Sequence, residues 1–233
     1  NDLDVYIASG GAENEPGSKY YKDHLYINDG KGNYTEDLNA LTPNYTAKCC
    51  VKAVDFDNDG DLDLFIGGRV LPGSYPKPVS SFILRNDSKN GIIKFTDVTS
   101  QIAPDLQYIG LVTDAVWSDV DNNGTPDLLI TGEWMNLKVL KNENGKLSIT
   151  KTNLYDKLGW WNSITAADID NDGDMDYIVG NCGTKSFLRP SSQYPVKAYA
   201  KDLDGNGTYN AVYGYYISPN ILVTIQKDFS LGG

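Results

Sequence analysis

Histidine is almost missing: His24 is the only one in 233 residues. That leaves little for an imidazole-based triad and nothing for a multi-histidine zinc site. Cysteine is nearly as sparse. Cys49, Cys50 and Cys182 make an odd count with no C-x-x-C pair, and all three are expected to be small buried thiols. A bridge between neighbours Cys49 and Cys50 would be strained, and the sequence leaves pairing with Cys182 open. Positive charge is short as well, with 20 Lys+Arg against 31 Asp+Glu and a net charge of −11. Nucleic acid is therefore not an expected partner, because its phosphates demand a basic face. No apolar run approaches the roughly 18 residues of a membrane span, so no transmembrane segment is expected. The start of the chain lacks the charged-then-apolar pattern of a secretory leader. No stretch carries a capped 3.6-residue period, so helix content should be low.

What the chain does have is repetition. Four segments align without gaps: Asp55–Asp63 (DFDNDGDLD), Asp119–Asp127 (DVDNNGTPD), Asp168–Asp176 (DIDNDGDMD) and Asp202–Asn210 (DLDGNGTYN). Asp2-Leu3-Asp4 matches the end of such a segment, so the chain is expected to be part of a longer one. The spacings between first residues shrink from 64 to 49 to 34, as in degenerate repeats.

Each repeat has one grammar. A short stretch of small and apolar residues precedes the loop (Val51–Val54, Ala115–Trp117, Ile164–Ala167, Ala198–Ala200). A β-rich run follows it (Leu64–Ile66, Leu128–Ile130, Tyr177–Val179, Ala211–Tyr213, with Val5–Ile7 at the start). Apolar runs this short, bounded by glycine, read as strands buried on both faces. Three units then add a hairpin: His24–Ile27 into Tyr34–Glu36, Ser81–Leu84 into Ile93–Phe95, and Leu137–Leu140 into Leu147–Ile149, each turning at Asn and Gly. Four short antiparallel strands per unit predict an all-β chain, a β-propeller of four-stranded blades. About four blades fit, within a single domain spanning 1–233, with the tail 218–233 unplaced. A stack of β-sandwiches is the competing architecture, but the repeats are too short for it.

The loops carry the chemistry. Oxygen side chains fall at positions 1, 3, 5 and 9, with glycine at position 6. Short carboxylates alternating along a tight turn converge on one point, and their mutual repulsion makes that favourable only around a hard cation. Of the 31 acidic residues, 15 lie in these loops. Oxygen donors without His or thiolate point to Ca2+, at up to four sites. The expected side-chain ligands are Asp55, Asp57, Asp59 and Asp63; Asp119, Asp121, Asn123 and Asp127; Asp168, Asp170, Asp172 and Asp176; and Asp202, Asp204, Asn206 and Asn210. Position 7 (Asp61, Thr125, Asp174, Thr208) is expected to lend a backbone carbonyl. An EF-hand does not fit: it needs Glu at position 12, where this chain has Ile66, Ile130, Val179 and Tyr213. The loop from Asp202, with two amides in its set, should bind most weakly.

The strand–DxDxDGxxD–strand unit and the LYxN-G-x-F/Y-like hairpin after it resemble FG-GAP/VCBS repeats. These repeats build the integrin α-subunit head and many bacterial secreted or surface proteins. The resemblance implies a calcium-bearing β-propeller that is secreted or displayed at a cell surface, the bacterial outer membrane included. It also implies a role in adhesion or recognition and other domains in a longer parent chain.

Recognition is expected on the variable segments 9–21, 69–78, 133–136 and 182–195, which align at one point of each unit and should cluster on one face. The candidate contacts there are Arg69, Tyr75, Trp134, Phe187, Arg189 and Tyr194, suited to a protein or glycan partner. The alternative for Trp134 and Phe187 is packing between blades. Of Trp160 and Trp161, one ring is expected in the core. No catalytic constellation is legible, so the expected module is non-catalytic. A polysaccharide-active lyase or hydrolase and a structural spacer are the alternative functions.

Overall fold

The computed structural model describes residues 2–182, 188, 190–218 and 221–226. With 48% strand and 5% helix, the all-β expectation holds. A first sheet contains β1 (Val5–Ile7), β2 (His24–Asn28) and β3 (Tyr34–Glu36). A second contains β4 (Ala47–Val54), β5 (Asp63–Val70), β6 (Phe82–Asn86) and β7 (Phe95–Asp97) in sequential order. After one helical turn, α1 (Thr99–Ile102), come β8 (Leu111–Ser118), β9 (Asp127–Asn136), β10 (Lys138–Glu143) and β11 (Lys146–Thr150). The chain continues through β12 (Leu158–Ala167) and β13 (Asp176–Asn181) to a last sheet of β14 (Lys197–Lys201), β15 (Asn210–Ser218) and β16 (Ile221–Gln226). The strand pairings within every sheet are antiparallel. The Asn144–Gly145 turn shows why the hairpins form where they do. Both residues have positive φ, 55° and 76°, the geometry whose twist matches the flanking strands.

The apolar clusters lie between successive repeat units. Leu25 meets Leu64, Ile66, Leu84 and Phe95 between the first and second sheets. Phe65 and Ile83 meet Val112, Ala115, Leu128, Ile130 and Leu140 on the other side of the second sheet. Leu129, Leu137 and Val139 then meet Ile164 and Val179. The alternation is strict: Leu64 and Ile66 face one way and Phe65 the other, and Leu128 and Ile130 oppose Leu129. β5 and β9 are accordingly buried along nearly their whole length, as central strands covered on both faces must be.

Two arrangements differ from four independent units. β12 begins well before Ile164, and its start pairs with the end of β9 (Leu158 with Asn136, Gly159 with Met135, Trp160 with Glu133), so the third and fourth units share one sheet. The tail, which matches no repeat, supplies β16, a partner for β15 from Ser218 to Val212. The cysteine expectation is overturned: Cys49 and Cys182 are exposed and Cys50 is half-buried, all three as free thiols. Cys49 lies at an irregularity in the β4–β5 ladder.

One buried ion pair ties the first sheet to the second. Lys48 Nζ lies 3.0 Å from Asp23 Oδ1, with side-chain exposures of 0% and 6%, so neither charge has water to fall back on. The ammonium also donates to the carbonyls of Tyr21 (2.6 Å) and Asn44 (3.0 Å). Asp23 accepts from Tyr6 Oη (2.6 Å) and Ser9 N (2.9 Å). Burial pulls the Lys48 pKa down, and the carboxylate opposes that shift. Removing one partner would strand the other charge, which typically costs about 3–5 kcal/mol. Lys48→Met is therefore expected to destabilise the chain by that order, as measured by urea denaturation; a loss below about 1 kcal/mol would mean the pair is not a structural tie.

Candidate metal centres

The four aspartate loops join β4 to β5, β8 to β9, β12 to β13 and β14 to β15. Each turns on two left-handed residues. Position 4 has φ of 60° at Asn58, 57° at Asn122, 61° at Asn171 and 75° at Gly205; position 6 has 97° at Gly60, 87° at Gly124, 97° at Gly173 and 86° at Gly207. Asn and Gly are the residues that accept this conformation most readily. The turn aims backbone N–H groups inward, onto the carboxylate at position 1. Asp55 accepts from Asp59 N (3.1 Å) and Gly60 N (3.0 Å), and Asp119 from Asn123 N (3.0 Å) and Gly124 N (2.7 Å). Asp168 accepts from Gly173 N (3.1 Å) and Asp202 from Gly207 N (2.9 Å). The residue at position 9 closes the loop by accepting from the N–H of position 2. This bond is made by Asp63 to Phe56 (3.3 Å), Asp127 to Val120, Asp176 to Ile169 and Asn210 to Leu203 (each 3.0 Å).

Within this frame, three carboxylates per loop come together. Oxygens of Asp55, Asp57 and Asp63 lie within 4.8 Å of one another, as do those of Asp119, Asp121 and Asp127, and those of Asp168, Asp170 and Asp176. Ligands about 2.4 Å from a calcium ion are at most about 4.8 Å apart across it, so the clusters have the right size. Asp57 Oδ1 and Asp61 Oδ1 are buried without a hydrogen-bond partner. An orphaned carboxylate oxygen is costly unless a cation satisfies it. The expected ligands at positions 1, 3 and 9 are thus gathered in three loops. Position 5 behaves differently: Asp59, Asn123, Asp172 and Asn206 each accept from the N–H of position 7, at 3.2, 2.9, 3.1 and 2.8 Å. Position 7 also contributes side chains. Thr125 Oγ1 and Thr208 Oγ1 bond the position-5 amides at 2.5 Å.

The loops are electrostatically unequal. Burial pushes the Asp63 carboxyl up to about 6 and raises Asp57, Asp61 and Asp127 above the carboxylate range, with neighbouring aspartates adding to the rise. The N–H of Gly124 holds Asp119 low, and that of Gly207 does the same for Asp202. In the second loop Lys141 Nζ sits 2.7 Å from Asp121 Oδ2, a tethered positive charge beside the cluster. In the fourth, Asn206 turns its amide onto Asp204 (3.0 Å), leaving two carboxylates.

Two sets of residues escape a reading of ligand spacing alone. One is the left-handed position 4, signalled by Asn in three loops and Gly in the fourth. The other is the asparagine at the end of β6 and next to the end of β10. Asn86 N donates to Asp63 Oδ1 (2.8 Å) and Asn142 N to Asp127 Oδ1 (2.7 Å). Their side-chain amides donate to the position-8 carbonyls of Leu62 (3.3 Å) and Pro126 (3.2 Å). Asn28 makes the same pair of bonds to Asp4 (2.9 Å) and Leu3 (3.3 Å), which puts Asp4 in the place of a position-9 residue. Asn142 also donates 2.7 Å to Phe56 O in the preceding unit's loop.

The second group of candidates lies at the far ends of β5 and β9, with Arg69 in β5 and Glu133 and Trp134 in β9. Arg69 Nη2 reaches Glu133 Oε1 at 2.5 Å, Tyr75 Oη donates to Glu133 Oε2 at 2.8 Å, and Trp134 Nε1 donates to Tyr75 Oη at 2.7 Å. Trp134 has a φ of 58°, rare for a bulky residue. Its ring packs against Trp160 (centroids 5.3 Å apart) and Tyr213 (5.5 Å). The segments 9–21 and 69–78 also meet, through Ala12, Tyr21 and Tyr75. Tyr194 packs on Tyr216 at 5.2 Å, whereas Phe187 and Arg189 lie outside the described residues. Trp161 is half-buried, with Nε1 on Met135 O at 3.1 Å.

A family profile described as FG-GAP-like repeat matches residues 1–66 and 119–179. No curated protein matches the chain.

The raised carboxyls set a pH test. A folded-state pKa above the unfolded value, about 4 against about 6 for Asp63, means stability falls as pH rises through that window when no cation is bound. The carboxyls held low titrate below it and do not reverse the sign. Ca2+ competes with the same proton, so its stabilisation grows over the same window. Urea titrations at pH 4.5 and 6.5 should show opposite trends in EDTA and in Ca2+, and parallel trends would remove the cation from this account.

Proposed function

We propose, because the chain belongs to the FG-GAP-like repeat family, that it is a calcium-stabilised, non-catalytic recognition module. FG-GAP repeats are extracellular recognition and adhesion repeats, usually found within larger chains. The observation that carries the reading is the gathering of three carboxylates within 4.8 Å in each of three loops. Hard oxygen donors suit Ca2+, held in the first loop by Asp55, Asp57 and Asp63, in the second by Asp119, Asp121 and Asp127, and in the third by Asp168, Asp170 and Asp176. Asp59, Asp61, Asn123, Thr125, Asp172 and Asp174 line the same loops. Asp202, Asp204, Asn206, Thr208 and Asn210 form the fourth and weakest site. The ion supplies charge neutralisation, which makes metal binding part of the folding free energy.

The successive repeat units are read as blades of a β-propeller, a reading supported by apolar clusters falling between successive units. The face carrying segments 9–21, 69–78 and 133–136 is the proposed contact surface for a protein or glycan outside the cell. The Arg69–Glu133–Tyr75–Trp134 chain of bonds holds that face in shape. Because Trp160 and Tyr213 pack against Trp134, this indole acts as a brace. A pocket of about 260 Å3 opens beside it, lined in part by Pro76, Pro78, Leu111, Lys138 and Leu158.

At a free Ca2+ of 100 times Kd, each site adds about 2.7 kcal/mol, or roughly 5–10 °C in Tm for a chain of this size. EDTA should therefore lower the melting temperature by at least that much, and Ca2+ should restore it better than Mg2+. An unchanged melt would sink the structural-calcium reading. For recognition, calorimetry against a protein and glycan panel, with segment 69–78 replaced, should show loss of whatever binding the parent has.

A further inference from the structure

Cys49 and Cys50 lie in β4 where its ladder with β5 slips, the register shifting between Lys48 (opposite Gly68) and Cys50 (opposite Gly67). In a regular strand adjacent side chains point to opposite faces, and a bulge suspends that rule. Here both sulfurs gather over one glycine. A Cβ on Gly67 would lie 2.6 Å from Cys50 Sγ and 3.2 Å from Cys49 Sγ, so the absence of a side chain makes room for the pair. The sulfurs are 3.6 Å apart, with Cys49 donating to Cys50. Cys49 Sγ also lies 3.0 Å from Val112 O on β8 and 3.5 Å from Gly67 O. Cys49 is exposed and Cys50 half-buried as whole residues. The bond between them holds the Cys50 thiol below its ordinary range and pushes that of Cys49 up.

Two chemistries compete for such a pair, and distance decides between them. A disulfide needs sulfurs about 2.05 Å apart on Cα atoms usually 4.4–6.8 Å apart, whereas adjacent residues offer about 3.8 Å. Ring closure would pull the sulfurs in by roughly 1.5 Å and strain the backbone. A tetrahedral ion with thiolates at about 2.3 Å holds them about 3.8 Å apart, close to the spacing already present. We infer that Cys49 and Cys50 form a bidentate dithiolate site for one soft, thiophilic divalent cation of the zinc–cadmium class. Each thiol gives up its proton and each sulfur forms one bond to the metal, with no change of oxidation state; water completes the coordination. The aspartate loops do not compete for this chemistry, since oxygen donors favour hard cations.

The test uses the full chain saturated with Ca2+ and probed with Cd2+, following thiolate-to-cadmium absorbance in the ultraviolet and proton release. One thiolate-bound Cd2+ per chain is expected, releasing close to two protons. Cys182→Ser should change nothing, whereas Cys49→Ser and Cys50→Ser should each weaken binding at least about tenfold. A band that depends on Cys182, an ion shared between two chains, or no thiolate band at equimolar Cd2+ would overturn the site. If the serine variants melt early, mass spectrometry of the unaltered chain with phenylarsine oxide decides. One arsenical bridging both thiols with loss of one water supports the site. Separate adducts, no adduct, or an internal disulfide already formed in air refutes it.

Discussion

Crowded negative charge at the turn between paired strands is the constraint on which the rest of this molecule depends. Three carboxylates within 4.8 Å repel one another strongly, and burial at Asp63 and Asp127 deepens the cost. Backbone N–H groups offset part of it, through the donors that converge on Asp55, Asp119 and Asp202. They do not reach the orphaned oxygens of Asp57 and Asp61. These clusters could hold a divalent cation, which would satisfy what the peptide groups leave undone.

The loops are also joints. The position-9 aspartate bonds to its own loop with one oxygen and to the asparagine of the third strand with the other, as Asp63 and Asp127 both do. The charge state of one carboxylate thus bears on two strand turns at once. Asn142 extends the chain to Phe56 in the preceding unit. Local electrostatics and sheet-to-sheet packing are coupled at that contact, beside the buried cluster of Phe56, Leu128 and Leu140.

The opposite face follows another logic. There an arginine, a buried glutamate, a tyrosine and a tryptophan bind one another, and the indole lies against two further rings. Such a chain of bonds stiffens its members, although Arg69 Nη1 is buried without a hydrogen-bond partner. It suits a scaffold that presents its outer residues in a fixed arrangement, which limits the entropy lost on contact.

The aspartate loops and the hairpin turns were legible in the sequence, because each is stated by residues within a dozen positions of one another. Alternating oxygens, Gly60 or Gly124 at the turn, and Asn144-Gly145 between β10 and β11 state their geometry locally. The role of Asn86 and Asn142 was not legible, because their hydrogen bonds reach back 23 and 15 residues to Asp63 and Asp127. The same holds for Glu133 as the partner of Arg69, for Trp160 extending β12 onto β9, and for Cys49 and Cys50 sharing one face over Gly67. These relations depend on which strands become neighbours and where a ladder slips by one residue. Both are settled only when apolar faces from distant parts of the chain are buried together.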